Sequence, residues 1–122
     1  MHTVVVIDDS EAVRTQLKSA FEGAGFSVVE GVDGTDGFNK LTTTPGINLV
    51  ISDYNMPGMD GLTMLQKAKE KLGSFPFPVF MLTTETSVAL KTQGKEIGIT
   101  AWINKPFVSQ KLIDAAKKVT GG

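Results

Sequence analysis

The 122-residue chain has the size of one ordinary domain, and 41% hydrophobic residues suffice for a packed core. A formal net charge of −1 gives no bulk attraction to nucleic acid or to an acidic membrane, so neither is expected as a partner. With no cysteine the chain can form no disulfide, thiolate metal site or cysteine nucleophile, and with no apolar run long enough for a signal or a membrane span it is expected to work in the cytoplasm.

Short apolar runs alternate with longer stretches of helical period. The β-branched run Val4 to Ile7 predicts a buried strand. Val13, Leu17, Phe21 and Ala24 then share one helical face, and Gly25 is a natural stop. Phe26 to Val29 reads as a second strand, Thr35 to Leu41 as a short, weakly patterned helix, and Ile47 to Ser52 as a third strand. Leu62, Leu65, Ala68 and Leu72 mark a third helix, and Phe77 to Leu82 a fourth strand with Pro78 near its start, where a missing amide is tolerated. Val88 to Ile97 predicts a fourth helix weakened by Gly94, and Thr100 to Ile103 a fifth strand. Ser109 is placed to cap a last helix with Leu112, Ala116 and Val119 on one face. Thr42 to Gly46 is only loop-sized, so residues 1–122 are expected to form one domain, with Gly121-Gly122 fraying.

Strand and helix thus alternate five times, which implies an α/β, doubly wound parallel sheet with right-handed crossovers and helices on both faces. In such sheets ligands gather at the carboxyl ends of the strands. There the sequence places Asp8-Asp9, Asp53, Thr83-Thr84 and Lys105-Pro106. Converging carboxylates repel one another, and a cation relieves that. Oxygen donors without imidazole or thiolate suit Mg²⁺. An Asp carboxylate can also attack a phosphoryl group, whose transfer needs mainly neutralised charge and held geometry.

Asp8-Asp9, the run Asp53-Tyr54-Asn55-Met56-Pro57-Gly58-Met59-Asp60-Gly61, Thr83 and Lys105-Pro106-Phe107 together resemble the two-component receiver family over essentially the whole chain. The resemblance implies a flavodoxin-like sheet of order 2-1-3-4-5. It also implies Asp53 as the phosphoacceptor, and Asp8, Asp9, Asp53 and the Asn55 carbonyl around Mg²⁺. Thr83 would be the switch hydroxyl, Lys105 the phosphoryl-contacting lysine, Trp102 the aromatic switch residue and Pro106 the partner of a cis peptide. The pair Asn55 and Glu85, with Met81-Leu82-Thr83-Thr84-Glu85, is similar to single-domain chemotaxis regulators of the CheY type, in which such side chains tune the lifetime of the acyl phosphate. Trp102 departs from the Tyr or Phe more usual there, which puts the output partner in doubt. A histidine kinase is the implied donor. The face made by the fourth helix, fifth strand and fifth helix is the implied output surface, with a flagellar motor switch component as its partner. The chain is expected to be monomeric and to catalyse only its own phosphorylation and dephosphorylation.

Plainer readings stand beside each assignment. Asp8-Asp9 can cap the first helix, Asp53 can be a turn residue before Pro57-Gly58, and Thr83 or Thr84 can cap the fourth helix. Lys105 can be a solvated lysine and Trp102 simple packing. Asp60-Gly61 reads as a helix start rather than a ligand. At the level of function, the alternatives are a phosphate sink or relay without motor binding and, more remotely, an Mg²⁺-dependent small-molecule phosphatase. The latter finds no cap domain to form a substrate pocket.

Overall fold

The computed structural model describes residues 2–121; the fraying expected at Gly122 lies outside them. The elements alternate as read: β1 (Thr3–Ile7), α1 (Glu11–Gly23), β2 (Ser27–Gly31), α2 (Gly34–Thr43), β3 (Ile47–Ser52), α3 (Gly61–Leu72), β4 (Val79–Thr83), α4 (Val88–Ile97), β5 (Ala101–Asn104) and α5 (Ser109–Thr120). All strand pairs are parallel and the sheet order is β2-β1-β3-β4-β5.

Alternation along the strands divides the apolar side chains between two sides. Val4, Val6, Leu49, Ile51, Phe80 and Leu82 pack with Leu17 and Phe21 of α1 and with Leu112, Ile113 and Ala116 of α5. Val5, Ile7, Val50, Val79 and Met81 pack with Leu41 of α2, with Met64, Leu65 and Ala68 of α3, and against Leu90 and Ile97 of α4. Strands covered on both faces read as unbroken apolar runs for this reason. Edge strand β2 is only partly buried until Gly31.

Several boundaries differ from the sequence reading, each for a local reason. Phe26 does not start β2: its N–H donates to the Phe21 carbonyl (2.9 Å) and its ring meets that of Phe21 edge-on. β4 begins at Val79 rather than Phe77, because the Pro76 and Pro78 nitrogens cannot donate to a ladder. β5 is shifted to Ala101–Asn104, since the Thr100 hydroxyl and N–H are both used on Val79. Ser109 is not a cap: Val108 holds that position, with no side-chain hydrogen bond. Leu72 and Val119, assigned to helical core faces, are exposed near helix ends. Caps that do form are Ser10 on α1, Asp33 on α2, Asp60 on α3 and Ser87 on α4. So neither Asp8-Asp9 nor Thr83-Thr84 is used as a helix cap.

Candidate functional site

Register sets the site. Ile7 of β1 lies beside Ser52 of β3, Ser52 beside Met81 of β4, and Thr83 beside Asn104 of β5. The residues just beyond these strand ends therefore meet along one edge. The Asp53 N–H donates to the Ile7 carbonyl (2.9 Å) and the Lys105 N–H to the Thr83 carbonyl (3.0 Å), so both side chains leave from extended ladders rather than free loops.

Asp8 is fixed at every polar atom. Its N–H donates to the Gly31 carbonyl (3.1 Å), and its own carbonyl accepts from Arg14 Nη1 (2.6 Å). Oδ1 accepts from the Ser10 N–H (2.9 Å) and Oδ2 from Lys105 Nζ (2.8 Å). Asp53 Oδ1 accepts from the Tyr54 N–H (2.7 Å), while Oδ2 lies 3.2 Å from Lys105 Nζ. One carboxylate oxygen each from Asp8, Asp9 and Asp53 falls within 4.8 Å of the others; Asp8 and Asp53 are buried and Asp9 exposed.

Three acids face one ammonium. Burial pushes the Asp8 carboxyl above the usual carboxylate range and Asp53 adds to this, although Lys105 and the Ser10 N–H pull it down. Burial works to lower Lys105, but Asp8 and Asp53 outweigh it and the net direction is upward. Tyr54 is raised by desolvation and by the nearby acids Asp60 and Glu85. One ammonium leaves the cluster net negative, and its donors are carboxylate oxygens alone, so the residues present fit a hard divalent cation such as Mg²⁺.

Other sequence-selected residues take no part in the cluster's hydrogen bonds. The Thr83 hydroxyl is fully buried and accepts from the Glu85 N–H (3.3 Å). Trp102 is half-buried, and its indole N–H donates to the Glu85 carbonyl (2.8 Å), linking β5 to the β4–α4 loop. Asn55 and Pro106 are exposed, and the Lys105–Pro106 peptide is cis. Asp60 caps α3, as its Asp-Gly context suggested. Sequence reasoning passed over Ser10 and Arg14. A Ser directly before a helical run was a readable cap signal, whereas nothing local distinguishes Arg14 from a solvated arginine.

Known proteins match this chain over nearly its whole length. The family model described as "Response regulator receiver domain" matches residues 4–117. A peroxide stress-activated histidine kinase, mak3 of Schizosaccharomyces pombe, is 32% identical over 115 residues, 90% of this chain but 5% of that protein. Chemotaxis protein CheY1 of Helicobacter pylori is 30% identical over 119 residues, 97% of this chain and 96% of that one. Among solved structures, chemotaxis protein CheY4 of Vibrio cholerae superposes with a TM-score of 0.89 at 33% identity over 98% of both chains. A CheX–CheY–BeF₃–Mg complex from Borrelia burgdorferi gives 0.87 at 27% identity, over 97% of this chain and 88% of that one.

Proposed function

This chain belongs to the response regulator receiver family of two-component signalling, and from that premise we propose that it is a phosphorylation switch whose acceptor is Asp53. The observation that carries the reading is the Asp53 carboxylate at the end of central strand β3, with Lys105 Nζ 3.2 Å away and the Asp8 and Asp9 carboxylates beside it. An oxygen of Asp53 attacks the phosphorus of a phosphohistidine on a histidine kinase. The P–O bond forms, the P–N bond breaks, and the imidazole leaves with the electron pair. Lys105 holds the acceptor carboxylate and then a phosphoryl oxygen. Asp8, Asp9, Asp53 and the Asn55 carbonyl would hold Mg²⁺, which when bound supplies positive charge against the phosphoryl oxygens. The protein in the Borrelia structure named with BeF₃ and Mg is of this type, which supports the assignment.

The Thr83 hydroxyl, which accepts from the Glu85 N–H, donates its own proton to a phosphoryl oxygen. The Glu85 carbonyl accepts from the Trp102 indole, so a shift of Thr83 toward the phosphoryl group is carried to the indole and through it to the face of α4, β5 and α5. A swing from 1:99 to 99:1 needs about 5.5 kcal/mol of differential stabilisation. Several charge-assisted bonds to one phosphoryl group are of that order.

Mass spectrometry with a small phosphodonor tests the assignment. The wild type gains one phosphoryl group when Mg²⁺ is present and Asp53→Asn gains none; uptake by Asp53→Asn at the wild-type rate sinks it. Trp102 fluorescence during Mg²⁺ and then beryllofluoride addition reports the coupling. For output we favour a flagellar motor switch component, because the chain matches CheY1 over nearly its whole length. The match to part of a histidine kinase favours the second reading, a relay or sink. Capture by beryllofluoride-loaded protein of the motor component, or of a phosphotransfer domain instead, decides between them.

A further inference from the structure

We propose that Arg14 is a positioning residue that holds the Asp8-Asp9 turn in the geometry needed to bind a divalent cation; the inference rests on the reading of the carboxylate cluster as a Mg²⁺ site. Arg14 lies in the first turn of α1, and only 12% of its side chain is exposed. Its Nη1 donates to the Asp8 carbonyl at 2.6 Å, and its Nε stands 3.3 Å from Glu30 Oε1 on β2. The contact to Glu30 is an ion pair without hydrogen-bond alignment, so Nε is a buried donor with no hydrogen-bonding partner. The short bond to Asp8 is therefore the directional one.

That carbonyl belongs to the peptide joining Asp8 to Asp9, so its orientation sets the direction in which Asp9 leaves the strand. The Asp8 carboxylate has its own restraints in Ser10 and Lys105. Asp9 is exposed, so the backbone must hold its carboxylate within 4.8 Å of two others. Mutual repulsion among the three carboxylates works against that geometry. Arg14 opposes this by tying the turn to β2, one residue from the Gly31 carbonyl that already receives the Asp8 N–H. A planar guanidinium reaches the Asp8 carbonyl and the Glu30 carboxylate at once; the single ammonium of lysine cannot hold both.

Calorimetric titration of the purified protein with MgCl₂, beside thermal melts in EDTA, tests the role. The long apolar stem of Met preserves packing, and Arg14→Met is expected to weaken Mg²⁺ binding about tenfold or more, as loss of an outer-shell support does. Arg14→Lys should recover part of that loss. Mg²⁺ affinity unchanged in Arg14→Met, even with a lowered melting temperature, overturns the proposal and leaves Arg14 a structural residue. Should Arg14→Met not fold, Arg14→Gln carries the test, because its shorter, uncharged side chain removes the tie between the Asp8 carbonyl and Glu30: weakened binding supports the role and wild-type affinity overturns it. Failure of the wild type itself to bind Mg²⁺ defeats the metal reading first, and the inference with it.

Discussion

At the scale of single residues, Lys105 decides how three carboxylates share one strand edge. Its ammonium serves Asp8 and Asp53 at once and is only 17% exposed, so little solvent would replace it. In the absence of Mg²⁺, Lys105→Met should cost roughly 3–5 kcal/mol at pH 7, the order found when one partner of a buried ion pair is removed. The deficit depends on pH. Asp8 is already raised above 3.8 in the fold and rises further without the lysine. A raised carboxyl contributes its stability fully below the unfolded value and loses it as pH climbs through the folded one. The gap between variant and wild type should thus be widest near neutrality and narrow as pH falls toward 4, which urea melts across that range measure. Asp8, Asp9, Asp53 and Lys105 were legible because charged residues just past apolar runs have one place to go in a parallel sheet. Arg14 was not, since its value lies in a backbone carbonyl and in Glu30, sixteen positions along, which only the folded β1–β2 pairing brings near.

Among the elements, α4 is the most lightly anchored. Gly94 is its only buried residue, while Leu90 and Ile97 reach the core in part. Hydrogen exchange should find its amides opening at lower free energy than those of α3, whose Leu62, Met64, Leu65 and Ala68 are all buried. Gly94 looked in the sequence like a flaw in a helix. In the fold it is the notch for an indole: a Cβ there would stand 3.2 Å from Trp102 Cζ3 and 3.1 Å from Ile99 Cδ1. In Gly94→Ala the ring must shift, which strains the Trp102 bond to Glu85, while helix propensity returns about 1 kcal/mol. We expect changed Trp102 emission with a net stability change under about 1 kcal/mol. Element order was readable throughout, because period and β-branching carry it. The ends were not, because they depend on partners: Phe26 turns back to Phe21, and Val108 rather than Ser109 stands at the α5 cap.

Over the whole molecule, the sheet is a partition between two apolar clusters, one beneath α1 and α5, the other beneath α2, α3 and α4. Substitutions on opposite sides share no packing partner. Ile113→Val and Ile7→Val should each cost about 1 kcal/mol and sum to within about 0.5 kcal/mol in a double-mutant cycle. Ile113→Val with Ile51→Val, both in the α1/α5 cluster, should depart from the sum. The doubly wound class was visible in the strand-helix alternation, but the sheet order came only with the family resemblance, since no local pattern says which strand neighbours which. The reactive groups hang from the partition itself: Asp8, Asp53 and Lys105 follow β1, β3 and β5 and belong to neither helical layer. A lineage can therefore rebuild the flank of α2, α3 and α4, and with it the set of proteins that listen, while inheriting the chemistry, so long as α1 on the other flank keeps its arginine.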